Sequence, residues 1–247
     1  MTRIAMWCAP RTISTAIMRA WENRPDTVVS DEPFYAHFLQ ATGMDHPGRD
    51  DIIASYETNW RTVARNLTED PLPEGAAIWY QKHMAHHMLD HISLDWVGKL
   101  ANCFLIRAPA EVITSYIKVR SQPTLMDLGF PQLLRLFEAV RHQSGSIPPV
   151  IDSQDVLEDP SGTLNLLCEA VSVPFSERML SWPPGRRNSD GVWAPYWYAA
   201  VEKSTGFAPY RPKDETPPPH LEDLLAQAQE IYQELYRFRL TTAGRSH

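Results

Sequence analysis

A chain of 247 residues and 28.2 kDa with 43% hydrophobic content is long enough to bury one sizeable core, which suits a single domain over 1–247. Its formal net charge of −7 and sequence pI near 5.7 argue against non-specific binding to nucleic acid, while leaving room for a local basic pocket, and against an acceptor that is a polyanion such as a sulfated glycan. No apolar stretch reaches signal-peptide or bilayer-spanning length, so a cytoplasmic protein with no membrane and no nucleic-acid partner is expected.

The first twenty residues carry the strongest signal. Residues 3–8 are a near-continuous apolar run and predict a buried strand, Ala9-Pro-Arg-Thr-Ile-Ser-Thr15 a tight loop, and 13–23 a helix. The N–H groups of a helix's first turn lack intrahelical partners and favour anions. With Arg11 and the hydroxyls of Thr12, Ser14 and Thr15 they make a cradle for a phosphate or sulfate. The alternative is an ordinary polar turn in which Ser14 and Thr15 only cap the helix. The loop lacks the Gly-Lys-Ser/Thr ending of a kinase phosphate loop.

Further strands are predicted at 27–30, 76–81, 101–106 and 148–152, and helices at 50–67, 109–120, 131–143, 160–171 and 219–238. This alternation implies an α/β fold, a parallel sheet of about five strands covered by helices on both faces. The carboxyl ends of such strands share one crevice. The second strand brings Asp31 and Glu32 to it, either as a general base or as a helix cap. The third brings Lys82 and His83, read as substrate or leaving-group contacts. His83, His87 and His91 follow at spacing four in one apparent helix, a spacing that suits a metal but lacks the partners of a known motif. The fourth strand ends in Arg107, a second anion contact or half of an ion pair, and the next helix carries Ser115.

Cys8, Cys103 and Cys168 form an odd set without metal spacing and read as reduced core residues. From 174 to 219 the chain becomes rich in proline and aromatics, including Trp182, Trp193, Trp197, Tyr198 and Tyr210. Such a segment either staples itself to the domain or covers a pocket, and the two roles are compatible.

With these pieces in hand, the chain resembles the sulfotransferases that use 3′-phosphoadenosine 5′-phosphosulfate (PAPS). The loop 9–15 is similar to that family's 5′-phosphosulfate loop, with Arg11 at the basic position and Ile13 where a glycine is usual. Phe104-Leu-Ile-Arg107 through Ser115 resembles the segment whose Arg and Ser hold the 3′-phosphate. Ile151-Asp-Ser-Gln-Asp-Val-Leu-Glu-Asp-Pro160 resembles the stretch around a Tyr-Glu-Asp-Leu motif, with Ser153 at the tyrosine. Pro184-Gly-Arg-Arg187 loosely matches a late basic loop. The resemblance covers most of 1–175 and implies a three-layer α/β/α, P-loop-like sulfotransferase fold.

The resemblance also implies a function: in-line transfer of a sulfuryl group from PAPS to a hydroxyl or amine of a small-molecule acceptor. Arg11, Glu32 and His83 are then the catalytic candidates, with Glu32 or His83 taking the acceptor proton. Arg11, Thr12, Ile13, Ser14, Thr15, Arg107, Ser115, Arg186 and Arg187 are the candidates for holding the donor. A monoanionic sulfuryl group needs no magnesium, so no metal is expected. Two other readings stay open: a nucleotide-binding module without transfer chemistry, suggested by Ile13, and a magnesium-ATP kinase with Asp31 on the metal.

Overall fold

The structure, a computed structural model, describes residues 1–212 and 215–241. Parts of two expectations, positions 213 and 214 of the 174–219 segment and the last six residues of the domain, lie outside the described residues.

Five strands, β1 (Thr2–Cys8), β2 (Thr27–Asp31), β3 (Ile78–Met84), β4 (Ala101–Ile106) and β5 (Val150–Asp152), form one all-parallel sheet in the order β2-β3-β1-β4-β5. Side chains alternate across its plane. Ile4, Met6 and Cys8 face α1 (Ser14–Glu22), α7 (Ser153–Glu158) and α8 (Pro160–Ala170). Ala5 and Trp7 face α4 (Trp60–Glu69), α5 (Pro109–Tyr116), α6 (Phe130–Ser144) and α10 (Glu222–Tyr236). Two apolar layers thus sandwich the sheet, as the five apolar runs led one to expect, and all three cysteines are buried and unpaired. No helix among the described residues is long and apolar enough to cross a membrane.

Several boundaries differ from the sequence reading. The helix expected over 50–67 is two, α3 (Arg49–Ser55) and α4, because Tyr56 is extended and the Asn59 side chain accepts a hydrogen bond from the Arg61 N–H, starting a new helix. A short helix, α2 (Tyr35–Thr42), precedes them and stops at left-handed Gly43. Helix α5 ends at Tyr116 rather than at 120. β3 runs on to Met84, so His83 is a strand residue, His86 and His87 sit in a 3₁₀ turn, and the three histidines at spacing four share no helical face. Among its described residues the proline-rich segment holds one α-helical turn, α9 (Ala194–Trp197), with 3₁₀ turns around it.

The register lines up the carboxyl ends: Cys8 lies beside Met84 and Leu105, Asp31 beside Lys82, and Ile106 beside Asp152. The loops after β1, β2, β3 and β4 therefore open onto a common edge.

Candidate active site

At that edge lies a cleft of about 690 Å³ whose walls include Arg11 through Ala16, Glu32, Tyr35, Lys82, His87, Arg107, Ser115 and Tyr198. Its floor is the loop after β1. The Thr12 hydroxyl donates to the Ala9 carbonyl at 2.7 Å, closing the turn. Arg11 and Ile13 both adopt left-handed backbone conformations, with φ of 65° and 58°. Ile13 occupies the position before α1 and offers no side-chain cap, so Ser14 and Thr15 are not the caps of this helix; Ser14 is its first residue. The first-turn N–H groups are left facing the cleft's end of the helix. The Ser153 hydroxyl sits beneath the loop, its single proton directed at the Thr12 carbonyl (3.0 Å) and the Ile106 carbonyl (2.8 Å).

Two guanidiniums converge on this floor. Arg11 Nε donates to Ser115 Oγ at 2.9 Å, and Arg107 Nη1 donates to the Arg11 carbonyl at 2.7 Å. Partial desolvation, then the nearby positive charge of Arg107, pushes the Arg11 pKa down, as expected where two cations share a site built for an anion. Arg107 is also paired with Glu111, Nη2 to Oε2 at 2.6 Å, so the ion-pair reading and the cleft-lining reading both hold for it. Tyr210 donates to the other Glu111 oxygen at 2.7 Å.

Beside the loop, in contact with Thr15, stands a buried polar cluster. The Lys82 ammonium, 1% exposed, lies 2.9 Å from Asp31 Oδ1, 2.8 Å from Glu32 Oε1, 2.6 Å from Tyr198 Oη and 3.2 Å from Thr15 Oγ1. Burial pulls the Lys82 pKa down, but Asp31, Glu32 and Tyr198 more than reverse it, so the ammonium stays charged. Burial pushes the Glu32 pKa up, with Asp31 adding to the rise and Lys82 opposing it. Glu32 is itself in a left-handed conformation, φ 45°, its N–H on the Lys82 carbonyl at 3.0 Å. Three of the four non-glycine residues with positive φ among the described residues thus line this cleft, the pattern of strain held at a working site.

A model of the sulfotransferase domain matches residues 2–238. The chain belongs to the sulfotransferase family. Among solved structures, this chain shares its fold with a sulfotransferase domain from the curacin biosynthetic pathway (TM-score 0.52, 15% identity, covering 97% of this chain and 99% of that one). It also shares it with a sulfotransferase domain from the Synechococcus PCC 7002 olefin synthase (TM-score 0.54, 14% identity, covering 97% and 96%). Among curated proteins it is similar to branched-chain-amino-acid aminotransferase-like protein 1 of Arabidopsis thaliana, 36% identical over 93% of this chain and 40% of that one. It is 32% identical to the like-named protein 2 of the same plant, over 94% of this chain and 41% of that one. The chain thus spans about two-fifths of the length of these curated relatives.

Of the residues singled out from the sequence, Arg11, Thr12, Ile13, Ser14, Thr15, Glu32, Arg107 and Ser115 all line the cleft. His83 does not, and its assignment as a base is corrected. Because Lys82 points to the cleft, strand alternation turns His83 to the opposite face. There it stacks on Trp7 at 4.3 Å, between Phe34 and Trp96, and burial pushes its pKa down to about 3. Arg186 and Arg187 are corrected as well. Neither lines the cleft, and Arg187 turns outward to the Pro183 carbonyl at 3.0 Å, because the segment presents residues 197–208 to the loop instead. Lys82, read only as a contact, proves to be the hub of the buried cluster, and Asp31 and Tyr198 join it. The signal for Lys82 was present: a lysine inside a buried strand demands buried partners. Nothing local in the sequence marked Tyr198 among its neighbouring aromatics.

Proposed function

We propose that this protein transfers a sulfuryl group from PAPS to a hydroxyl or amine of a small-molecule acceptor, with Glu32 as the base. The observation that carries this reading is the pair of guanidiniums, Arg11 and Arg107, converging on a left-handed loop at a helix start, with the Glu32 carboxylate lining the same cleft. The donor set fits the expected co-substrate: two mutually repelling cations, the first-turn N–H groups, and the Ser14, Thr15 and Ser115 hydroxyls suit a polyanionic nucleotide rather than a neutral ligand.

PAPS supplies an activated sulfuryl group joined to a phosphate leaving group. Arg11 and the loop N–H groups counter negative charge at the 5′ end, and Ser115 fixes the Arg11 side chain through its Nε. Arg107 braces the loop by holding the Arg11 carbonyl. Glu32 takes the proton from the acceptor's hydroxyl or amine at its cleft-facing carboxylate, and a raised pKa makes it the better proton acceptor. Lys82 orients that carboxylate, while Tyr35, Met84, His86, His87, Tyr116 and Trp197 give the acceptor an aromatic and apolar seat. Burial pushes His86 down to about 3 and His87 well below the usual range, so both are neutral hydrogen-bonding walls.

The test is calorimetric titration with 3′-phosphoadenosine 5′-phosphate, with 5′-AMP and magnesium-ATP as controls. Affinity at least tenfold above that for AMP, about 1.4 kcal/mol, is expected. Equal affinity for the two would remove the donor assignment, and magnesium-dependent ATP binding without preference for the 3′-phosphate would favour a kinase.

A further inference from the structure

Two carboxylates face one buried ammonium, and they occupy different places. Glu32 lines the cleft, its side chain 12% exposed, whereas Asp31 lies behind Lys82 at 2% and does not line it. The second oxygen of Asp31 accepts the Tyr198 hydroxyl proton at 2.6 Å and the Gly191 N–H at 3.3 Å. Tyr198 Oη in turn accepts from Lys82 and, at 3.2 Å, from the Trp193 indole. Asp31 therefore accepts from three donors, Lys82 on β3 and Gly191 and Tyr198 in the proline-rich segment.

We propose that Asp31 is the standing counterion of Lys82, a positioning residue that leaves the Glu32 carboxylate at the cleft free to gain and lose a proton. The inference rests on the reading above, in which Glu32 is the base. If Glu32 were the sole partner of Lys82, protonating it would strand a buried ammonium, a strongly unfavourable state that would hold Glu32 ionised and weakly basic. With Asp31 behind, the cluster carries one excess negative charge. When Glu32 takes a proton, a neutral Lys82–Asp31 pair remains, and when it releases the proton the charge returns to the cleft side. Asp31 also acts directly on Glu32, since a like charge nearby raises proton affinity.

The other titratable groups around the cluster do not compete. Cys8 at the end of β1, Tyr35 from α2, Tyr56 after α3 and Tyr198 after α9 are all pushed up by burial and stay neutral near pH 7. His87, after β3, is pushed down by burial and stays uncharged. Thr15 from α1 and the Trp193 indole complete the shell without charge, and Arg186 acts on its outer edge at Tyr56. Asp31, Glu32 and Lys82 are left as the groups that carry the charge.

The experiment is a pH titration of the Glu32 side-chain carboxyl by carbon-13 NMR on the full chain, without donor or acceptor, in the native protein, D31N, K82M and the double variant. D31N is expected to move the Glu32 midpoint down by about one pH unit or more, and K82M to move it up. A purely structural role for Asp31 gives no such pair of opposite shifts. An unchanged or raised midpoint in folded D31N overturns the proposal. If D31N does not fold, K82M and D31N/K82M decide, since neither contains an unpaired buried cation. The double variant is expected to titrate lower than K82M, and equal midpoints overturn the proposal. Because this titration uses no nucleotide, it fails or succeeds separately from the donor titration. The acidic limb of the pH–rate profile should follow the NMR midpoint.

Discussion

Replacing Ile13 by glycine and by alanine should reverse the usual ranking of those two residues. Glycine destabilises a helix interior relative to alanine, but Ile13 sits at φ 58° immediately before α1, with its side chain partly buried against the cluster around Ile17 and Trp21. Both substitutions lose that packing, about 1 kcal/mol for a half-buried isoleucine. Only glycine also sheds the left-handed strain, about 1–2 kcal/mol for a residue with a Cβ. Its extra freedom in the unfolded chain takes back about 0.4–1 kcal/mol. Ile13→Gly should therefore lie close to the native stability, and Ile13→Ala about 1 kcal/mol below it. In urea unfolding this separates the two midpoints by about 0.3 M at equal slope. Alanine matching or exceeding glycine would refute the assignment of strain to this loop.

Ser153→Ala removes the proton shared between the Thr12 and Ile106 carbonyls in a buried setting, and should cost about 1–3 kcal/mol in thermal or urea unfolding while weakening nucleotide affinity through a looser loop. Asp190→Ala breaks a fully buried pair, with Arg19 Nη2 at 2.6 Å, and should cost about 3–5 kcal/mol and expose 182–203 to limited proteolysis; an unaltered digestion pattern would argue against that anchor. Burial raises the Asp152 carboxyl pKa to about 6. The folded state therefore binds that proton more tightly than the unfolded one, so this group's contribution falls as pH climbs from about 4 to 6, by about 3 kcal/mol in total. Asp152→Asn should flatten that part of the stability–pH curve, as read by denaturation at pH 4, 5, 6 and 7.

The sheet was legible because a strand buried on both faces must be largely apolar, and β1, β4 and the first half of β3 are nearly so. Their spatial order was not, since hydropathy carries no record of which strand pairs with which. The anion loop was legible from Arg11 and the hydroxyls at a strand-to-helix junction, and Ile13 drew attention because a β-branched residue suits that conformation poorly. The error at His83 came from ending β3 three residues early. A shift in where a strand stops decides which residue of an adjacent pair reaches the site, and here it gave the cleft to Lys82. Arg186 and Arg187 were misjudged because, in a segment without regular secondary structure, no periodicity links sequence position to orientation. The split at Asn59 was written locally, in a residue that caps helices better than it continues them.

The central position of β1 governs how the polypeptide can acquire its shape during synthesis. The first strand to be made is flanked in the finished sheet by β3 and β4, which begin at Ile78 and Ala101. At about 5–20 residues per second, several seconds to about 20 s pass before both neighbours exist. Throughout that interval Ile4-Ala-Met-Trp-Cys8 is a short, uncharged, aromatic-bearing segment with both hydrogen-bonding edges open, the composition that self-associates most readily. Yield on overexpression should therefore depend on temperature and on chaperone supply more steeply than the stability of the finished protein would suggest.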